Sequence, residues 1–219
     1  MIRVIPAPEP AAFDETVRKR GLRAIAEMVG EMPPRAAGRR HKVVATERSG
    51  IPPDSFPSFW TDALDDLKAA YSFICAYSCF RIHEVTGAAS VDHMVAKSKA
   101  WDRVYEWDNY RLACSRLNSR KNDFFDVLDP FDVQDDWFHL ELVGFQVHLN
   151  SDIADSAIRT KIQNTIDRLR LNDSILLNRR ISDAELYWSG DISLKHLERE
   201  SPFVARELRR QRRLHSADV

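Results

Sequence analysis

The sequence predicts an α+β protein that is mostly helical, on three observations. Residues 90–93 and 110–113 read as short strands around a long polar loop from about 97 to 107, and residues 115–124 read as a helix directly after them. Residues 138–142 and 145–149 alternate around Val143-Gly144, which is a hairpin signal. Elsewhere apolar residues recur at helical spacing, as in Leu64, Leu67, Tyr71, Ile74 and Cys75.

Taken in order, residues 1–10 are interrupted by Pro6, Pro8 and Pro10 and read as extended chain. Residues 13–29 form a predicted amphipathic helix with Phe13, Val17, Ile25, Met28 and Val29 on one broad face, weakened in its middle by Gly21. Residues 30–57 read as a loop containing Pro33-Pro34, Arg39-Arg40-His41-Lys42 and Pro52-Pro53. Its basic run is either a solvated loop or a phosphate contact. A long helix is predicted over 59–77, with Asp62, Asp65 and Asp66 on its solvent side and His83 structural beyond it. An acidic loop spans 126–136, turning at Asp129-Pro130, and the hairpin follows. A helix over 153–171 carries Ile158, Ile162, Ile166 and Leu169 on its core side. After a break at 171–174, short helices over 174–180 and 182–188 are expected, the second closed by Gly190. The last helix, 201–214, begins with Ser201 as cap and Pro202 in the first turn, and Phe203, Val204 and Leu208 anchor it. This divides the chain into an N-terminal extension and linker (1–58), a central core (59–136) and a C-terminal hairpin and helical region (137–219).

With 219 residues and 44% hydrophobic composition, the chain can bury a core as one domain, or a small core with helical additions. A net charge of −1 excludes a surface that is basic throughout, so nucleic-acid binding would need local clustering. The longest apolar stretches fall far short of a membrane span, and residues 1–10 lack a signal peptide's apolar region, so no membrane insertion and a bacterial-type cytoplasmic location are expected. Three cysteines, an odd count, do not make a disulfide framework.

The chemistry concentrates in VDHMVAKSKAWDRVYEWDNYRLACSRLNSRKND, residues 91–123. Asp92 and His93 are adjacent, Asn109 follows sixteen positions after His93, and Asn118 nine after that. Hydrolysis of a phosphodiester needs a base to activate water and a cation for the charge growing on the leaving oxygen. Histidine suits the base, because its ordinary pKa leaves neutral imidazole available near pH 7. Carboxylate and amide oxygens suit a hard cation such as Mg²⁺, which takes few protein ligands and fills its shell with water and phosphate oxygens. On the predicted helix Asn118, Lys121 and Asn122 share a face. Taken singly, an Asp-His pair, a turn asparagine and a helix asparagine are ordinary structural residues; their order and spacing are what point to a site.

The order Asp-His, Asn, Asn, followed by Lys121, resembles the motif of HNH endonucleases, whose ββα-metal core holds the ion between a strand end and a helix. The resemblance implies that Asp92 and Asn118 hold a divalent metal, Mg²⁺ foremost and Mn²⁺ as an alternative, and that His93 is the general base. It further implies that Asn109 braces the loop so that His93 points at the scissile phosphate, and that Lys121 contacts phosphate. Many HNH proteins add a structural zinc on two C-x-x-C pairs. Here Ser78 and Leu117 stand where two thiols are wanted, so no structural zinc is expected, and Cys75, Cys79 and Cys114 read as packing residues, with a site including His83 as the alternative.

The stretches IPAPEP, VTGAASVDHMVAKS, YEWDNYRLACSRLNSRKND with DVLDPF, and TIDRLRLND resemble one branch of bacterial HNH proteins, found in antiphage defence systems that include retron-associated, Septu and type II Zorya systems. This implies a DNA endonuclease or nickase acting as a defence effector, with partners such as an ATPase or a membrane motor complex; the oligomeric state stays open. An RNA-cleaving nuclease, and a binding module that keeps the fold without the activity, are the alternatives. Such a module would use Arg116, Arg120 and Lys121 with the terminal helix. There Arg206, Arg209, Arg210 and Arg213 share one predicted face, read either as a solvated end or as a track for the DNA backbone.

Overall fold

A computed structural model describes residues 1–31 and 40–219 and shows an α+β fold of seven α-helices and two small antiparallel hairpins among those residues. Pro33-Pro34 and Arg39 lie outside the described residues. No helix of the described residues is long and apolar enough to cross a membrane.

The first helix starts as a π-turn, Asp14–Arg18, and continues as α1, Lys19–Met28. Phe13, Val17, Ile25 and Met28 are buried along it as their spacing predicts. Gly21 has a packing reason: a Cβ there would lie 2.1 Å from the Tyr105 ring, so only glycine admits that close approach. The contact fixes α1 against the loop that joins the two strands of the central hairpin.

The predicted long helix over 59–77 is much shorter. A 3₁₀ turn, Phe59–Ala63, leads into α2, Leu64–Ala70, and the chain then reverses through Ser72 and Phe73, both with positive φ. Non-glycine residues rarely adopt that conformation, and nothing in their identity signals it. The reversal lays Cys75, Ala76 and Tyr77 beside the central hairpin, where the Ala76 amide donates to the Leu112 carbonyl at 2.8 Å.

Strands β1 (Ala89–His93) and β2 (Tyr110–Cys114) pair antiparallel with Val91 opposite Leu112 and His93 opposite Tyr110. Helix α3, Ser115–Lys121, follows at once and packs over the free edge of β1. Asn118 Nδ2 donates to the Val91 carbonyl at 3.1 Å, and Lys121 Nζ to the His93 carbonyl at 2.8 Å, so helix side chains satisfy outward-facing strand carbonyls. The helix stops three residues short of the predicted 124 because Asn122 turns to φ 48°.

A second hairpin, β3 (Phe138–Leu140) with β4 (Val147–Leu149), precedes α4, Ser156–Leu169. Helix α4 is capped by Asp155, whose carboxylate accepts from the amides of Ala157 and Ile158, and Arg170 ends it in the left-handed region. The two short helices expected next are one continuous α5, Ser174–Trp188; Arg180 is buried within it and donates to the carbonyls of Phe145 and Leu171. Helix α6, Leu194–Glu200, was not anticipated; it begins at Ser193, whose hydroxyl accepts from the His196 amide. Helix α7, Pro202–Arg210, has proline in its first turn as expected, but Ser201 turns its hydroxyl to Asp183 instead of capping the helix. One hydrophobic core joins all three predicted segments, from Met1 and Phe13 through Leu112 and Leu117 to Leu197 and Leu208.

Candidate active site

Neighbouring residues of a strand point to opposite faces, and at the end of β1 this separates Asp92 from His93. Asp92, 2% exposed, turns inward; one carboxylate oxygen accepts from Tyr77 Oη and the other lies 3.2 Å from Lys121 Nζ. Burial pushes its carboxyl above the ordinary value, against the pull of Lys121 and Tyr77. His93 turns the other way, its ring held edge-on between Trp60 and Tyr110 at centroid distances of 4.9 and 5.1 Å. Both residues still border one cavity of about 460 Å³, whose far wall is Asn118, Ser119 and Asn122 of α3 and the turn after it.

The tautomer of His93 follows from its partner. Nε2 lies 2.9 Å from the Val104 carbonyl, which can only accept, so Nε2 carries the hydrogen and Nδ1 is the basic nitrogen. Burial foremost, with the positive charges of Lys97 and Lys121, lowers the His93 pKa to about 4 against the hydrogen bond to Val104. The imidazole is therefore neutral near pH 7, the form a base requires.

Asn109 lies 1% exposed at the foot of the loop between the strands. Its Oδ1 accepts from the Val95 amide at 2.7 Å, and its Nδ2 donates to the carbonyls of Val95 and Arg103 at 3.1 and 2.8 Å. One amide thus clamps both ends of the segment that carries Lys97 and reaches Val104, the partner of His93. Asn118 uses Nδ2 on Ser90 Oγ and the Val91 carbonyl, and its Oδ1 accepts no hydrogen bond among the described residues. That oxygen and the remaining lone pairs of Asp92 form a donor set of hard oxygens suited to a small divalent cation. Asp54 and Asp123 also line the cavity, opposed by Lys97, so its carboxylates outnumber its ammonium groups. Among the described residues no cluster of three or more His, Cys, Asp or Glu side chains is arranged to hold a metal; a carboxylate–amide pair lies outside that class.

The structure places the other expected residues differently. Lys121 is wholly buried beneath Asp92 and has no surface with which to meet a phosphate; it holds Asp92 and the end of β1. Arg120 is pinned to Asp173 and to the carbonyl ending α4 at Leu169, 3.0 Å away, so it ties α3 to α4. Arg116 is exposed on the face of α3 away from the cavity. In the terminal region Arg206 pairs with Asp135 and Glu207, Arg209 with Glu198 at 2.5 Å and Arg210 with Glu207 at 2.7 Å. Helix α7 ends at Arg210, so Arg213 does not continue that face. Cys75 and Cys114 meet side chain to side chain, and Cys75 Sγ also accepts from the Cys114 amide at 3.3 Å, but among the described residues they do not join Cys79 and His83 in a group of three or more.

Four contributors were missed from the sequence. Tyr77 and Trp60 carried no signal, being ordinary apolar positions in a predicted helix. Asp54 sat in a presumed linker, where the 3₁₀ turn Pro53–Ser55 presents it to the cavity. Lys97, four residues after His93, was a readable hint; its ammonium lies 4.6 Å from the centre of the Trp60 ring, and burial lowers its pKa. No protein-family model matches this chain, and no curated protein matches it.

Proposed function

We propose that this protein is a metal-dependent endonuclease of the HNH type that hydrolyses DNA phosphodiesters. The observation that carries the reading is the convergence of neutral His93, Asp92 and the free Asn118 oxygen on one acidic cavity, with Asn109 clamping the loop that aligns His93. In this reading His93 Nδ1 takes a proton from the attacking water, while Val104 and the Trp60 and Tyr110 rings keep the imidazole from turning. Asp92 and Asn118 would hold Mg²⁺ or Mn²⁺, which supplies charge neutralisation at the leaving oxygen. Tyr77 and Lys121 are positioning residues that fix the Asp92 carboxylate. The resemblance of the motif and its flanking stretches to HNH proteins of antiphage defence supports an effector role in the bacterial cytosol, acting with a partner such as an ATPase or a membrane motor complex.

The test is incubation of supercoiled plasmid with purified protein and Mg²⁺ or Mn²⁺, with and without chelator, beside a single-stranded RNA. Conversion to open circles that chelator abolishes is expected. An intact plasmid under every metal condition would overturn the reading, and cleavage confined to the RNA would reassign the substrate.

A further inference from the structure

The acidic cavity does not stand alone. Ser119 of α3 borders it on one side and, on the other, borders a groove of about 770 Å³ that runs past Arg116 towards Arg81, His83 and Arg179. Those last three also line a further cavity of about 540 Å³ that ends at His196 and Arg199. The three hollows adjoin in series, the first two meeting at Ser119 and the last two sharing Arg81, His83 and Arg179, and together they make up a trough of neighbouring hollows.

Its charge reverses along its length. Beyond Ser119 the ionised side chains are four guanidiniums, Arg81, Arg116, Arg179 and Arg199, against two carboxylates, Asp183 and Glu200. Both carboxylates are sunk in the floor, 6% and 5% exposed, while the guanidiniums stand at the rim: the Arg199 side chain is 60% exposed and that of Arg179 38%. The floor orients the rim. Asp183 accepts from Arg179 at 2.8 Å, and Glu200 accepts from Arg199 at 2.9 Å with Arg81 at 3.8 Å and His83 at 3.5 Å. One Glu200 oxygen is buried with no hydrogen bond of its own and faces His83. Arg116 makes no ion pair among the described residues. A row of pre-oriented guanidiniums along an open trough is the arrangement that recognises a chain of phosphates.

We propose that the trough from Arg116 through Arg179 to Arg199 binds the sugar–phosphate backbone of duplex DNA and leads it to the His93 cavity. The direction of the chain is set by the change of sign: phosphates lie along the cationic stretch, and the acidic end is kept for a cation. This rests on the nuclease reading for its purpose and not for the binding itself. It places the DNA track in the trough and not on the terminal helix, where Arg206 and Arg210 share the buried Glu207 and Arg209 pairs with Glu198.

The test measures binding of a fluorescent DNA duplex by anisotropy across a salt series, in chelator so that no cleavage intervenes. Three proteins are compared: wild type, Arg116→Gln/Arg179→Gln/Arg199→Gln, and Arg209→Gln/Arg210→Gln/Arg213→Gln. The trough variant should bind about tenfold or more weakly, and its log affinity against log salt should flatten by roughly 0.9 for each arginine that meets phosphate. The terminal-helix variant should bind as wild type does. Arg116→Glu, a fully surface change, gives the same reading if the triple variant does not fold. Equal affinity and salt slope in wild type and the trough variants would overturn the proposal, as would a larger loss in the terminal-helix variant. Trough-dependent binding by a protein that never cuts would sink the nuclease reading and leave the trough standing.

Discussion

The molecule contains the same local construction twice. In each case a two-stranded antiparallel hairpin precedes a helix, and side chains from helices or their ends bond to the free strand edges. In the first unit Asn118 and Lys121 hold the edge of β1. In the second, Asn172 brackets Val147 through its amide and carbonyl at 2.7 and 2.9 Å, while Glu207 and Gln211 take the amide and carbonyl of Leu140. The difference lies in what the connections carry. The strands of the second unit are joined by residues 141–146 alone, with His139 opposite His148 in its register. The first is joined by residues 94–109, whose ends Asn109 clamps and whose middle supplies Lys97 and Val104. The hairpin–helix arrangement is common to both, and the long clamped loop with its oriented histidine is what sets apart the copy that we propose as the site.

The strongest way to break this comparison is His93→Ala. Loss of a positioned base costs about 10²–10⁴-fold in rate. Nicking should fall by that amount while duplex binding in chelator persists. Near-normal nicking by a folded His93→Ala protein would reduce the first hairpin to a scaffold like the second.

Lys121→Met tests whether the first unit is held from below by charge. Asp92 is buried with Lys121 as its charged partner, and removing one member of such a pair costs about 3–5 kcal/mol because the other is left uncompensated. Urea denaturation should report a loss of that size. A loss under about 1 kcal/mol would mean that Tyr77 alone satisfies Asp92.

The third effect is the pH dependence that buried His93 gives the first unit. His93 has a folded pKa of about 4 against an ordinary 6.5, so between those values the unfolded chain binds the extra proton. Stability from this group is thus fully present above about pH 6.5 and is lost as pH falls towards 4, by roughly 3 kcal/mol. Denaturation of the chelated protein should show that acid loss, and His93→Gln should lack it. Parallel acid limbs in the two proteins would show that His93 protonates freely in the folded state.

The parts legible in the sequence are those set by local pattern. Alternation marked the second hairpin, whose strands are shorter than expected, and the polar loop between short strands marked the first, with β2 within one residue at its end. The spacing of Asp92, His93, Asn109 and Asn118 marked residues that the fold gathers around one loop and cavity. What stayed hidden is set by distant partners. Tyr77 reaches Asp92 only because Ser72 and Phe73 take left-handed backbone, which their side chains do not advertise. The arginines of α7 looked available because Glu198, Glu207 and Asp135 pair with them only in the folded chain, whereas Arg116, Arg179 and Arg199 are scattered over three helices and align only in space.

The smallest expected effect is in the second hairpin, and it sharpens the comparison most. His139 and His148 face each other across β3 and β4 as a histidine pair that invites a functional reading. Yet His148 is exposed and His139 half-buried, and among the described residues neither ring makes a side-chain hydrogen bond. Burial and the nearby Arg210 lower the pKa of His139. Surface substitutions away from special features change stability by about 0.5 kcal/mol or less. His148→Thr should therefore leave nicking and duplex binding at wild-type values and shift stability by no more than that amount. A fall in nicking comparable to that of His93→Ala would give the second hairpin a share in the chemistry and dissolve the distinction between scaffold and site.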